Sequence, residues 1–219
     1  MLAIFDIDGT LIDSQVVEGQ CFAETIREFT GVSLDTLDWS QYPEATSSGI
    51  FRGCLQDHSN LTTLEREFKD RFLERLRAAR PQHPHEFSPL KGALEFIQTL
   101  DENNDVQVAF ATGGFDTEAA FKLDCCGIDL ASYPHATSSD SPQRHQIIAI
   151  ATQRAERQLS ETIYFGDGKW DVLATRALQI PLIGIGRNIE KLQSLGVVNT
   201  FADYSEPEKL RAAMNALLR

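Results

Sequence analysis

The chain reads as an α/β protein, a doubly wound parallel sheet interrupted by one all-helical insertion, and three observations predict this. From about residue 89 onward, short apolar runs of strand length alternate with stretches of helical period, which implies right-handed crossovers and a sheet covered on both faces. Residues 14–88, by contrast, hold helical periodicity and no convincing strand. The 219 residues suffice for one large domain or for a core with a smaller inserted unit.

The first run, Met1-Leu2-Ala3-Ile4-Phe5, reads as a buried strand ending in Asp6-Ile7-Asp8-Gly9-Thr10. Ser14 is placed to cap a helix whose positions Val17, Cys21, Thr25, Ile26 and Phe29 recur at helical spacing and which stops near Gly31. Residues 34–48 are irregular, with Trp39, Tyr42 and Pro43, and a short helix is expected from about Gly49 to Gln56. Thr62 and Glu65 form a capping-box pattern at the head of an amphipathic helix marked by Leu64, Phe68, Phe72 and Leu76. Pro81, Pro84 and Pro89, with His83, His85 and Phe87, read as a linker. Beyond it, helices are expected at 92–100, 116–126, 142–158, 170–178, 188–195 and 206–218, and strands at 106–111, 133–136, 162–165, 181–185 and 200–201. The chain therefore divides into a core of residues 1–13 and 89–219 and a helical unit of residues 14–88.

Composition narrows the partners. A hydrophobic fraction of 42% with 24% charged residues suits a globular protein. No run approaches the roughly 20 apolar residues that span a bilayer, and no signal-like segment opens the chain. A cytoplasmic protein without membrane partners is expected. A net charge of −12 disfavours nucleic-acid polymers, while a small phosphorylated metabolite stays compatible if a metal ion reverses the potential in one pocket. Cys21, Cys54, Cys125 and Cys126 show no metal-type spacing and are expected reduced. Oligomeric state is not readable.

In doubly wound folds ligands bind beyond the carboxyl ends of the strands, so what each strand ends with is informative. Asp6 and Asp8, two apart on a strand, point the same way. Two such anions need a cation between them or a shared proton, and a hard ion such as Mg2+ prefers oxygen ligands. On these residues alone, an acidic turn fits equally well. The strand at 106–111 ends in Thr112-Gly113-Gly114, a hydroxyl and exposed amides suited to an anion, or a turn whose glycines serve geometry. The strand at 162–165 ends in Gly166-Asp167-Gly168-Lys169-Trp170-Asp171, which places two acids four apart at a strand-to-helix turn. Asp171 can also be read as a helix N-terminal acid favoured by the dipole.

In order, these tips resemble the motifs of the haloacid dehalogenase-like (HAD) hydrolases, phosphatase branch. Asp6-Ile7-Asp8-Gly9-Thr10 matches that family's Asp-x-Asp-Gly-Thr in full, Thr112 matches the second motif, and Gly166-Asp167 the fourth. The resemblance covers about two thirds of the chain. It implies a Rossmann-like core with an α-helical cap domain inserted after the first motif. It also implies a Mg2+-dependent hydrolysis of a small phosphomonoester through an aspartyl-phosphate on Asp6. Asp8 would be the general acid/base and lend its backbone carbonyl to the metal, Asp167 would complete the metal set, Thr112 and Gly113 would hold the phosphoryl group, and Asp171 would orient metal-bound water or a basic residue. The family's third-motif Lys is missing: residues 138–148 hold none. Arg144 is the first candidate to replace it and Lys122 the second, against the reading of either as a solvated helix cation. His145 is read as a surface or packing residue. Phe22, Trp39, Tyr42 and Thr46 could be either the insert's own core or its substrate-facing wall. Alternatives are a phosphomutase on the same fold and a non-catalytic phospho-ligand binder; a dehalogenase has no need of Asp8.

Overall fold

The computed structural model describes residues 1–55 and 59–218. Six parallel strands form one sheet: β1 (Leu2–Phe5), β2 (Gln107–Ala111), β3 (His135–Ala136), β4 (Thr162–Gly166), β5 (Leu182–Ile185) and β6 (Thr200–Phe201). Their order is β3-β2-β1-β4-β5-β6. β1 is central, and the chain turns to one side of it for β2 and β3 and to the other for β4 to β6. That reversal makes the mouth of β1 the switch point of the sheet, where doubly wound folds open a crevice.

Alternation along β1 explains why it is buried on both faces. Ala3 and Phe5 pack with Phe96, Ile97 and Leu100 of α4 (Ala93–Asp101), Leu123 of α5 (Asp116–Cys125) and Leu210 and Met214 of α9 (Pro207–Leu217). Leu2 and Ile4 pack with Ile147, Ile148 and Ala151 of α6 (Arg144–Arg154) and Ala174 of α7 (Lys169–Leu178). A short α8 (Ile189–Ser194) seals the β5–β6 edge.

Between β1 and α4 lie α1 (Gln15–Thr30), α2 (Ser47–Cys54) and α3 (Leu61–Ala79). They close on a cluster of their own that includes Val17, Phe22, Ile26, Ile50, Phe51, Phe68, Phe72 and Leu76. The two chain crossings into this unit run side by side: Ile12 bridges Pro89, and the amide of Leu90 donates to the carbonyl of Leu11 at 2.7 Å.

Four local expectations need correction. Ser14 precedes α1 but its hydroxyl makes no cap bond; it donates to Asp8 instead. Thr62 lies inside α3 rather than before it, and Glu65 is taken by Arg52 at 2.9 Å. The proline-rich segment at 81–89 is not an open linker, because Pro84–Phe87 winds one 3-10 turn that buries Phe87 against the helical unit. The helix expected at 142–158 is shorter, since Glu156 at φ 55° leaves helical space. Gln56, expected in α2, lies outside the described residues. No described helix is long and apolar enough to cross a membrane, and the four cysteines are free.

Candidate active site

Register brings the distant strand tips together. Phe5 stands opposite Phe110 on one side and Phe165 on the other, so the residues that follow each of them leave the sheet at one level. Asp6 follows Phe5, Thr112 follows Ala111, and Asp167 follows Gly166. All three are buried, at 2%, 2% and 1% exposure. Gly9, at φ 78°, turns the chain away after Asp8 in a conformation that suits glycine.

Arg144, at the first turn of α6, reaches into this centre. Its Nη2 lies 2.8 Å from Asp6 Oδ1 and 2.8 Å from Asp171 Oδ1. Only its Nε, at 3.0 Å from Asp171, has hydrogen-bond alignment, which leaves Nη2 available to a better-aligned acceptor. Gly113 permits this approach, because a Cβ there would collide with the guanidinium. Asp171 is spent on positioning: Oδ1 takes Arg144, and Oδ2 accepts from the amides of Asp167 at 3.1 Å and Gly168 at 3.0 Å. Burial raises Asp6 to about 7, against the lowering pull of Arg144 and with added repulsion from Asp171 and Asp8.

Lys122, from α5, goes to Asp8 rather than to Asp6. Its ammonium is fully buried, 2.7 Å from both Asp8 oxygens, 3.0 Å from Glu18 and 3.8 Å from Glu118. One ammonium cannot satisfy three carboxylates. It holds Asp8 below the ordinary range against the desolvation that opposes this, whereas burial pushes Glu118 up to about 7 and Glu18 well above its usual value. Glu118 Oε1 accepts from the Ser47 hydroxyl at 3.2 Å.

Carboxylate oxygens of Asp6, Asp167 and Asp171 lie within 4.8 Å of one another. Three buried acids converge there, and every donor they offer is oxygen. That set fits a hard divalent cation, with Asp6 and Asp167 as ligands because both oxygens of Asp171 are committed.

Above the strand tips a cavity of about 60 Å³ is walled by Asp6, Asp8, Thr112, Gly113 and Arg144 from the sheet side and by Glu18, Phe22, Trp39, Thr46 and Ile50 from the helical unit. Phe22, Trp39 and Thr46 thus face the cavity, while Tyr42 instead bonds the carbonyl of Thr36 at 2.7 Å. His145 is exposed. The structure therefore brings Asp6, Asp8, Thr112, Gly113, Arg144 and Asp167 to one place, with Asp171 and Lys122 behind them. Glu18, Glu118 and Ile50 were not anticipated. Glu18 carried one usable signal, its place four residues after Ser14 on the helix face that looks back at Asp8. Glu118, four before Lys122, reads as an ordinary solvated helix pair.

A family model for haloacid dehalogenase-like hydrolases matches residues 1–179. Solved structures with the same fold include a hydrolase from Pseudomonas syringae (TM-score 0.75, 21% identity, covering 100% of both chains). A CbbY mutant from Rhodobacter sphaeroides in complex with xylulose-1,5-bisphosphate aligns at TM-score 0.70 and 13% identity, over 94% of this chain and 95% of that one. A putative β-phosphoglucomutase from Thermotoga maritima aligns at 0.60 and 19%, over 99% of each. No curated protein matches the chain in sequence.

Proposed function

Since the chain belongs to the haloacid dehalogenase-like hydrolases, we propose that it hydrolyses a small phosphomonoester by way of a phosphorylated Asp6. The observation that carries this reading is the meeting of Asp6, Asp167 and Arg144 at the mouth of the central strand, with Asp8 beside them under separate control.

The carboxylate of Asp6 attacks phosphorus and the bond to the ester oxygen breaks, which divides hydrolysis into two easier steps. Thr112, the Gly113 amide and Arg144 Nη2 hold the phosphoryl oxygens as charge shifts onto them. Asp8, ionised at rest beside Lys122, takes a proton from the adjoining Glu18 carboxyl, gives it to the departing alkoxide and takes one back from the water that then cleaves the acyl phosphate, restoring Asp6. Glu18 and Lys122 set which form Asp8 adopts. Mg2+, held by Asp6, Asp167 and the Asp8 carbonyl, would relieve repulsion between the nucleophile and the phosphoryl group and stabilise developing charge. The helical unit of residues 14–88 acts as a cap that excludes bulk water and contacts the leaving group.

Phosphate release from a short alkyl phosphomonoester, 1,3-propanediol monophosphate, dependent on Mg2+, tests the reading. Asp6→Asn is expected to lower kcat by at least about a thousandfold, and rapid acid quench of the wild type should capture phosphate on Asp6. Turnover that survives Asp6→Asn refutes it.

A further inference from the structure

We propose that the substrate's leaving group is compact and carries no second anionic group, so that the chain selects monophosphates over bisphosphates. The inference rests on the phosphatase reading and narrows its substrate. Size is the first observation. A cavity of about 60 Å³ holds a handful of waters at about 15 Å³ each, room for a short leaving group.

Charge is the second. Among the described residues the only cation lining this cavity is Arg144, already placed between Asp6 and Asp171. Lys122 lies behind the wall with Asp8, Glu18 and Glu118 around it. The cap wall offers apolar Phe22, Trp39, Ala45 and Ile50.

Its hydroxyls are spent, and this is the third observation. The Thr46 hydroxyl donates to the Pro142 carbonyl at 2.8 Å and accepts from Gly49, and the Ser47 hydroxyl donates to Glu118. The start of α2, which would otherwise attract an anion, is closed as well: the Ser47 amide donates to the Gly113 carbonyl at 2.7 Å, Ser48 to the Ser138 hydroxyl at 3.3 Å, and Gly49 to Thr46 at 3.1 Å. Lys169 and Lys191 are exposed and line neighbouring cavities instead, both across Trp39 and Trp170 with Asp38 and Asp167, and Lys169 also beside His145 on the far side of Arg144 and Trp170.

A second phosphoryl group would therefore sit against apolar side chains and carboxyls with no cation to meet it, and an unpaired anion in such a place is strongly disfavoured. The same argument separates hydrolysis from isomerisation. Returning the phosphoryl group from Asp6 to another hydroxyl of a monophosphate forms the P–O bond of a bisphosphate, whose second phosphoryl would have to occupy this wall.

The test uses 1,3-propanediol monophosphate and its 1,3-bisphosphate, which differ only in the second phosphoryl group. With Mg2+ present, kcat/KM for phosphate release is expected to be at least about tenfold higher for the monophosphate; equal or better turnover of the bisphosphate overturns the proposal. Calorimetry of the same pair on the Asp6→Asn protein reads binding without turnover. If the wild type releases phosphate from neither, the hydrolase reading fails, and tighter binding of the monophosphate still supports the inference. Tighter or equal binding of the bisphosphate, or binding of neither, overturns it. In a third arm, Ile50→Lys places an ammonium in the wall and should raise the bisphosphate-to-monophosphate ratio at least about tenfold.

Discussion

Arg144 contributes three contacts from one planar group, and that geometry decides what a substitution does. Lys in its place keeps the charge but cannot reach Asp6 and Asp171 together. Arg144→Lys should therefore lower kcat/KM by about tenfold to a hundredfold while leaving Mg2+ affinity, measured by calorimetry, nearly unchanged. Glu118 makes a different prediction, read in stability against pH. Its folded value of about 7 lies above the ordinary carboxyl value of 4.5, so between those values the folded chain keeps a proton that the unfolded chain has released. Stability falls as pH rises through that window and levels off above about 7. Glu118→Gln keeps an acceptor for Ser47 without the ionisation, so its Tm should fall less than the wild type's between pH 5 and 7.5. The acids at the strand tips were legible because Asp-x-Asp-Gly-Thr and Gly-Asp are local strings at strand ends. The string ranks Arg144 ahead of Lys122 but does not say which carboxylate each meets, because that depends on how α5 and α6 pack against β1.

At the scale of elements, alternation and helical period located every strand and most helices, while ends slipped where side chains were recruited elsewhere. Ser14 and Glu65 both carried cap signals and both serve other partners, Asp8 and Arg52. Phe68 was read as one apolar position of an amphipathic helix; in the fold it is the hub of the cap. Its ring meets Phe22 at 5.5 Å, Phe29 at 5.6 Å, Phe51 at 4.4 Å and Phe72 at 6.1 Å, and it reaches across to Phe115, which follows the Thr112 loop, at 5.9 Å. Phe22 in turn supports Trp39 on the cavity wall. Phe68→Ala should thus cost about 3–5 kcal/mol by denaturant unfolding. At temperatures where the variant is still folded, it should raise KM more than it lowers kcat, because the wall loosens while Asp6 at the end of β1 and Arg144 at the start of α6 keep their places.

Over the whole molecule, the contacts between sheet and cap include short, specific ones: the Ser47 amide on Gly113, Thr46 on Pro142, Ser48 on Ser138, and Lys69 with Asp116 at 2.8 Å. Each of these reaches a loop or helix start at the mouth of β2 or leading into α6, the elements that supply Thr112 and Arg144. A ligand bound between Asp6 and Asp167 therefore stabilises a site whose parts belong to both units, and its binding energy should appear as global stability. With Mg2+ and inorganic phosphate at a hundred times Kd, binding to the folded state alone contributes about 2.7 kcal/mol, on the order of 5–10 °C in Tm for a chain of this size. Asp167→Asn removes a proposed metal donor without touching the cap contacts. Its response to Mg2+ and phosphate should fall to near zero in differential scanning calorimetry, and a retained shift would place the metal elsewhere.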